Sequence, residues 1–105
     1  MNTYKLIVYV PLDHADKVRE AIGAAGGGLL GKYAFCSFST KGTGRFLPQE
    51  GAKPAIGEVG KLEQVDEERI EVTCTAEVLD AVIAAIKRVH PYEEIAMDVW
   101  ELKTL

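Results

Sequence analysis

Cysteine is scarce in this chain of 105 residues, and the two present, Cys36 and Cys74, stand far apart with no CxxC spacing and no secreted-scaffold pattern. A disulfide framework is therefore excluded as the organising device, and a reduced, cytoplasmic setting is expected. Histidine is equally rare: His14 and His90 fall in no HxxxH, HxE or CxxH pattern, so no preformed zinc motif is present. Basic runs are missing too. Twelve Lys and Arg are scattered among sixteen Asp and Glu, for a net charge of -4, and nothing could neutralise several phosphates together. Nucleic acid is not an expected partner. No apolar run approaches the roughly 20 residues that cross a bilayer, and no charged-then-apolar leader precedes the first strand pattern. No membrane partner is expected either.

What is present is the composition of an ordinary globular domain, 48% hydrophobic and 27% charged, and residues 1–105 read as one domain without a linker. Tyr4 to Val10 is β-branched and aromatic and is stopped by Pro11, which predicts a strand. Asp13 offers an N-cap to a helix whose apolar positions Ala15, Val18, Ile22 and Ala25 end at Gly26, Gly27 and Gly28. Lys32 to Ser39 predicts a second strand. Gly42, Gly44, Pro48, Gly51, Pro54, Gly57 and Gly60 then predict a long loop over 41–61, interrupted by a short extended piece at Arg45 to Leu47. Leu62 to Thr75 alternates Ile70, Val72 and Cys74 against Glu71, Thr73 and Thr75, as a half-buried strand does. Thr75 can cap a helix striped by Val78, Leu79, Val82, Ile83, Ile86 and Val89, which His90 and Pro91 end. Ile95 to Leu102 is the last strand. The order βαββαβ predicts an α+β, ferredoxin-like fold: a four-stranded antiparallel sheet with two helices on one face.

Two strands are apolar on both sides. Leu6, Val8 and Val10 oppose Ile7 and Tyr9 in the first, and Ile95, Met97 and Val99 oppose Ala96, Trp100 and Leu102 in the last. Helices on one face leave the other uncovered, so a homo-oligomer is expected.

Candidate chemistry is sparse. GGGLLGKY, residues 26–33, imitates the Gly-x4-Gly-Lys part of a phosphate loop, but it follows a helix, enters a strand and has Tyr33 where Ser or Thr must hold magnesium. His90, Glu93 and Glu94 share one turn and could together accept a borderline divalent metal; the competing role for His90 is to end the helix and hydrogen-bond locally. Cys74 is in phase with the core, and Cys36 alternates with Ala34 and Phe38 in a way that also suggests burial. No histidine is placed to activate either thiol, so covalent catalysis is not expected. The 41–61 loop is the main candidate site: long loops in compact domains tend to be functional, and Lys41, Arg45, Lys53 and Lys61 could meet an anion.

The runs GKYAFCSFSTKGTGRFLP (residues 31–48), GAKPAIGEVGKLEQVDEERIE (residues 51–71) and HPYEE (residues 90–94) resemble the small domain inserted in many bacterial Ngg-interacting-factor-like proteins, the GTP cyclohydrolase type 2 homologues. The HPYEE turn feeding a last strand also resembles the CutA divalent-cation tolerance proteins, which are related in shape to the PII signalling proteins. These resemblances imply a PII-like or CutA-like module and a homotrimer. The metal centre of the larger family lies outside the inserted domain, and its ligands have no counterpart here, so the hydrolase activity is not implied. Two functions follow as expectations. One is a non-enzymatic regulatory module that binds a small molecule or protein in clefts between subunits, through Tyr33, Cys36, Lys41, Arg45, Lys53 and Tyr92. The other is divalent-metal binding of the CutA kind, with His90, Glu93 and Glu94 as ligands. An enzyme would need residues from several subunits.

Overall fold

A computed structural model of the chain describes residues 2–103 and 105. Strand β1 (Thr3–Pro11) runs through a 3-10 turn (Leu12–His14) into helix α1 (Ala15–Ala24). Strands β2 (Phe38–Phe46) and β3 (Glu63–Thr75) follow, then helix α2 (Ala76–Val89) and strand β4 (Met97–Leu102). The sheet order is β2-β3-β1-β4 and every pairing is antiparallel. The expected βαββαβ fold is present.

Alternation in the central strands builds the core. Leu6, Val8 and Val10 of β1 and Ile70, Val72 and Cys74 of β3 face Val18 and Ile22 of α1 and Val82 and Ile86 of α2, all buried. The helices reach this face because their apolar residues recur every three or four positions. Each large buried aliphatic group stabilises the fold by roughly 1.5–3 kcal/mol. Burial also pushes the Cys74 thiol pKa up, leaving it a neutral core group.

The opposite face is less apolar than the alternation suggested. Ile7 is buried there, and Phe38 and Trp100 are exposed, but Lys5, Arg69, Glu71 and Asp98 share the surface by register with them.

Three local expectations are corrected. Asp13 does not cap α1; His14 occupies that position, with its Nδ1 2.9 Å from Asp13 Oδ1 and no side-chain bond to the helix. Thr75 has the extended backbone of a cap residue but makes no capping bond. The second strand begins at Phe38, not Lys32, and continues through Gly42 and Gly44 to Phe46. Residues 28–36 are withdrawn from the sheet because Gly28, at φ 79°, donates to Thr73 O at 2.9 Å and accepts from Cys36 N–H at 2.8 Å. Any Cβ at Gly28 would collide with the Cys36 carbonyl, and inside this closed loop Leu30 and Tyr33 exchange both backbone bonds. Of the extended piece expected at Arg45 to Leu47, Arg45 and Phe46 are the end of β2, so the loop expected over 41–61 is in fact strand up to Phe46 and the connection to β3 is residues 47–62.

Ile86→Ala is expected to destabilise by about 2–5 kcal/mol and Leu29→Ala, at an exposed loop position, by less than about 0.5 kcal/mol. Urea unfolding of the two variants checks this ordering.

Candidate functional site

Strand β3 has 13 residues and β1 has 9, and their pairing stops at Pro11↔Glu67. Beyond it, β3 is paired with β2 alone, so a two-stranded arm carrying the 47–62 connection projects from the sheet. Between this arm, its connection and the 92–96 segment lies a cleft of about 720 Å³. Its lining is dominated by carbon.

Register decides which groups enter the cleft. Thr40, Gly42 and Gly44 share a face with Arg69, Glu67 and Val65, because directly paired residues project to the same side. Glu67 is 8% exposed, and its Oε2 accepts the Tyr92 hydroxyl at 2.9 Å. A Cβ at Gly44 would overlap the Glu67 carboxylate, so glycine makes the space into which that carboxylate leans. Tyr92 packs on Phe46 with ring centroids 6.0 Å apart. Burial first, then the hydrogen bond to Glu67, raises the Tyr92 pKa and keeps the phenol protonated.

His90 anchors this wall. Its Nε2 lies 2.7 Å from the Tyr9 carbonyl, which only an N–H can satisfy, so Nε2 donates. Nδ1 is then the acceptor for the Tyr92 N–H at 3.2 Å. Both nitrogens of a neutral ring are used, and burial lowers the His90 pKa. Glu93 Oε1 accepts the Lys53 N–H at 2.7 Å and ties the connection to the wall.

The sequence-derived candidates divide accordingly. Lys41, Arg45, Tyr92, Glu93 and Glu94 border the cleft, whereas Lys53 is not in its lining and only donates its backbone N–H to Glu93. Tyr33 does not: it is exposed on the closed loop. Cys36 lies on a separate depression beside α1 and is only partly buried. His90, Glu93 and Glu94 do not converge, and no group of three His, Cys, Asp or Glu suited to a metal occurs among the described residues. Lys61 pairs with Glu58 at 3.1 Å and not with the cleft. Sequence reading missed Glu67, Tyr9, Arg69 and Phe46. Glu67 stands in the acidic run Glu63, Asp66, Glu67, Glu68 and Glu71, where nothing local distinguishes it from a solvated carboxylate.

The strand order and helix placement are those of the PII and CutA fold. CutA from Archaeoglobus fulgidus matches 97% of the chain, with 85% of its own length covered, at a TM-score of 0.69 and 17% identity. The Bacillus subtilis GlnK–ATP complex matches 96%, with 82% of its own length covered, at 0.64 and 17% identity. No family model matches the chain. By sequence the chain is homologous to part of the GTP cyclohydrolase 1 type 2 homologues. That of Halalkalibacterium halodurans is 50% identical over 101 residues, 96% of this chain and 27% of the relative. The Bacillus cereus protein related to NIF3 superposes on 98% of the chain at a TM-score of 0.85 and 46% identity, with 26% of its own length covered. The chain thus spans about a quarter of the length of these relatives.

Two outcomes test the site. Tyr92→Phe leaves the buried Glu67 without its donor and is expected to cost about 1–3 kcal/mol in urea unfolding. His90 has a native pKa below its unfolded value of 6.5, so the unfolded chain binds the proton first as pH falls. Its contribution is full above that value and is lost as pH drops through the native pKa. His90→Gln should therefore lose less stability than the parent between about pH 7.5 and pH 5.

Proposed function

We propose that the chain is a non-enzymatic, self-associating module that binds a small molecule in the cleft between the β2–β3 arm and the 92–96 segment. The observation that supports this reading is the cleft itself: its volume, carbon-rich lining and few convergent polar groups are those of a small-molecule site. The cleft is built within one chain, so the ligand needs no second subunit to find a wall. The activity in the relatives' name is not carried over, since the chain covers only a quarter of them. What GlnK binds likewise stays with GlnK. Metal binding has no ligand set to support it among the described residues.

Self-association rests on the sheet edges. Strand β2 (FSTKGTGRF) and strand β4 (MDVWEL) are the two edges, each with an unpaired backbone row. Lys41 and Arg45 make β2 positive, and Asp98 and Glu101 make β4 negative. Such edges invite β2 of one copy to pair with β4 of the next, a head-to-tail contact that closes into a ring. The CutA resemblance favours three members.

A fragment screen by ¹⁵N NMR tests the first part. Hits are expected to shift the amides of Tyr9, Gly42, Phe46 and Tyr92; hits that collect around Tyr33 and Cys36 instead would defeat the assignment. Light scattering tests the second. A trimer is expected, dissociated by Lys41→Glu with Arg45→Glu and restored when Asp98→Lys and Glu101→Lys are added. A parent chain that is monomeric at micromolar concentration removes the ring.

A further inference from the structure

We propose that the cleft selects a small organic cation, an amine or amidine carried on an aromatic or alkyl body. This deepens the ligand-site reading and rests on it. Glu67 is the reason for the charge. It is 8% exposed in a carbon-rich cleft, one carboxylate oxygen takes the Tyr92 hydroxyl, and no basic side chain pairs with it among the described residues. With one oxygen bonded to Tyr92 and no buried side-chain oxygen left unsatisfied among the described residues, the other oxygen is open to the cleft and can accept from a positive donor.

Three basic residues, Lys41, Arg45 and Arg69, also line the cleft, but none of them pairs with Glu67. Arg69 lies two residues along the same face, but its Nε donates to Glu71 at 3.0 Å and its guanidinium lies against Tyr9, 5.9 Å above the ring. Lys41 and Arg45 pair with Glu68 and Gln64, so strand alternation carries their side chains to the face away from Glu67. Glu93, held by the Lys53 N–H, adds a second carboxylate to the opposite wall. Glu63 and Asp13 join Glu67 in raising the Tyr92 pKa, which marks the field at that hydroxyl as negative.

Room for the body of the ligand is also present. A Cβ built on Gly42 meets nothing within 4 Å, so the floor beside Glu67 is bare backbone. Tyr9, Phe46 and Tyr92 also line the cleft. These faces suit an apolar or aromatic group next to a cation.

The probes are phenethylamine, 2-phenylethanol and 3-phenylpropionate, which share a body and differ in charge, titrated into the full chain with ¹⁵N NMR detection. Phenethylamine is expected to bind at the cleft amides about tenfold more tightly than the alcohol, and Glu67→Gln to remove that preference. Gly42→Val fills the floor with a residue that strands favour and should abolish binding of all three while the spectrum stays that of a folded chain. If the alcohol or the carboxylate binds the cleft as tightly as the amine, or if Glu67→Gln leaves the preference intact, the cation assignment is wrong while the ligand site stands. If none of the three shifts a cleft amide at millimolar concentration, the assignment falls, and the fragment screen alone then decides whether any ligand uses the cleft.

Discussion

The antiparallel ladder between β1 and β3, running from Thr3↔Thr75 to Pro11↔Glu67, constrains everything else in the molecule. These are the two interior strands, and every buried strand residue facing the helices belongs to one of them. Strand side chains alternate with period two, so a slip of one residue would send Leu6, Val8 and Val10 to the other face of the sheet. Such a slip would expose the whole helix-facing stripe, so burial enforces the register strongly. The same register puts Glu67 and Arg69 on the face opposite the helices and Glu68 beneath Arg19 of α1, where the two form an ion pair. Neighbouring acidic residues in one run thereby acquire different roles.

The ladder also explains why a cleft exists. Because β3 is longer than β1, its early residues have a partner on one side only, and the arm they form with β2 leaves the body of the sheet. The end of α2 fills the corner. His90 leaves the helix in extended conformation at ψ 135° and reaches the Tyr9 carbonyl near the end of β1, which brings Tyr92 over Glu67. The wall is thus fixed by hydrogen bonds to backbone and by burial of an aromatic ring. A bond from Lys53 to Glu93 completes the enclosure.

The fold was legible because its evidence is periodic. Strands β1 and β3 and both helices announce themselves through apolar spacing, and the structure keeps them close to the expected limits. Strand β2 was misplaced for the opposite reason. It is an edge strand, almost wholly exposed, so packing imposes no alternation on it, and its glycines read as loop. The aromatic run before it, with Tyr33 and Phe35, looked more like a strand but is closed into a loop by backbone bonds at Gly28. The site was legible only in part. The 90–94 turn and the 41–61 segment stood out as candidates, but the first part of that segment was read as loop where it is strand, and Glu67, which borders the same cleft, did not stand out. Its burial depends on Tyr92, 25 positions away, and no local pattern records that contact.

Strand β2 serves two surfaces at once, and its composition reflects both. Glycine weakens a strand by roughly 0.5–1 kcal/mol relative to alanine, and an exposed edge strand has little packing to offset the loss. Gly42 and Gly44 nevertheless sit at the positions that face Glu67, while Lys41 and Arg45 occupy the intervening ones. Gly44 is required by the Glu67 carboxylate itself. Gly42 is not crowded by anything in the chain, and its φ lies outside the region reserved for glycine. No demand of the fold accounts for it, whereas an occupant lying flat against the strand beside a buried carboxylate would.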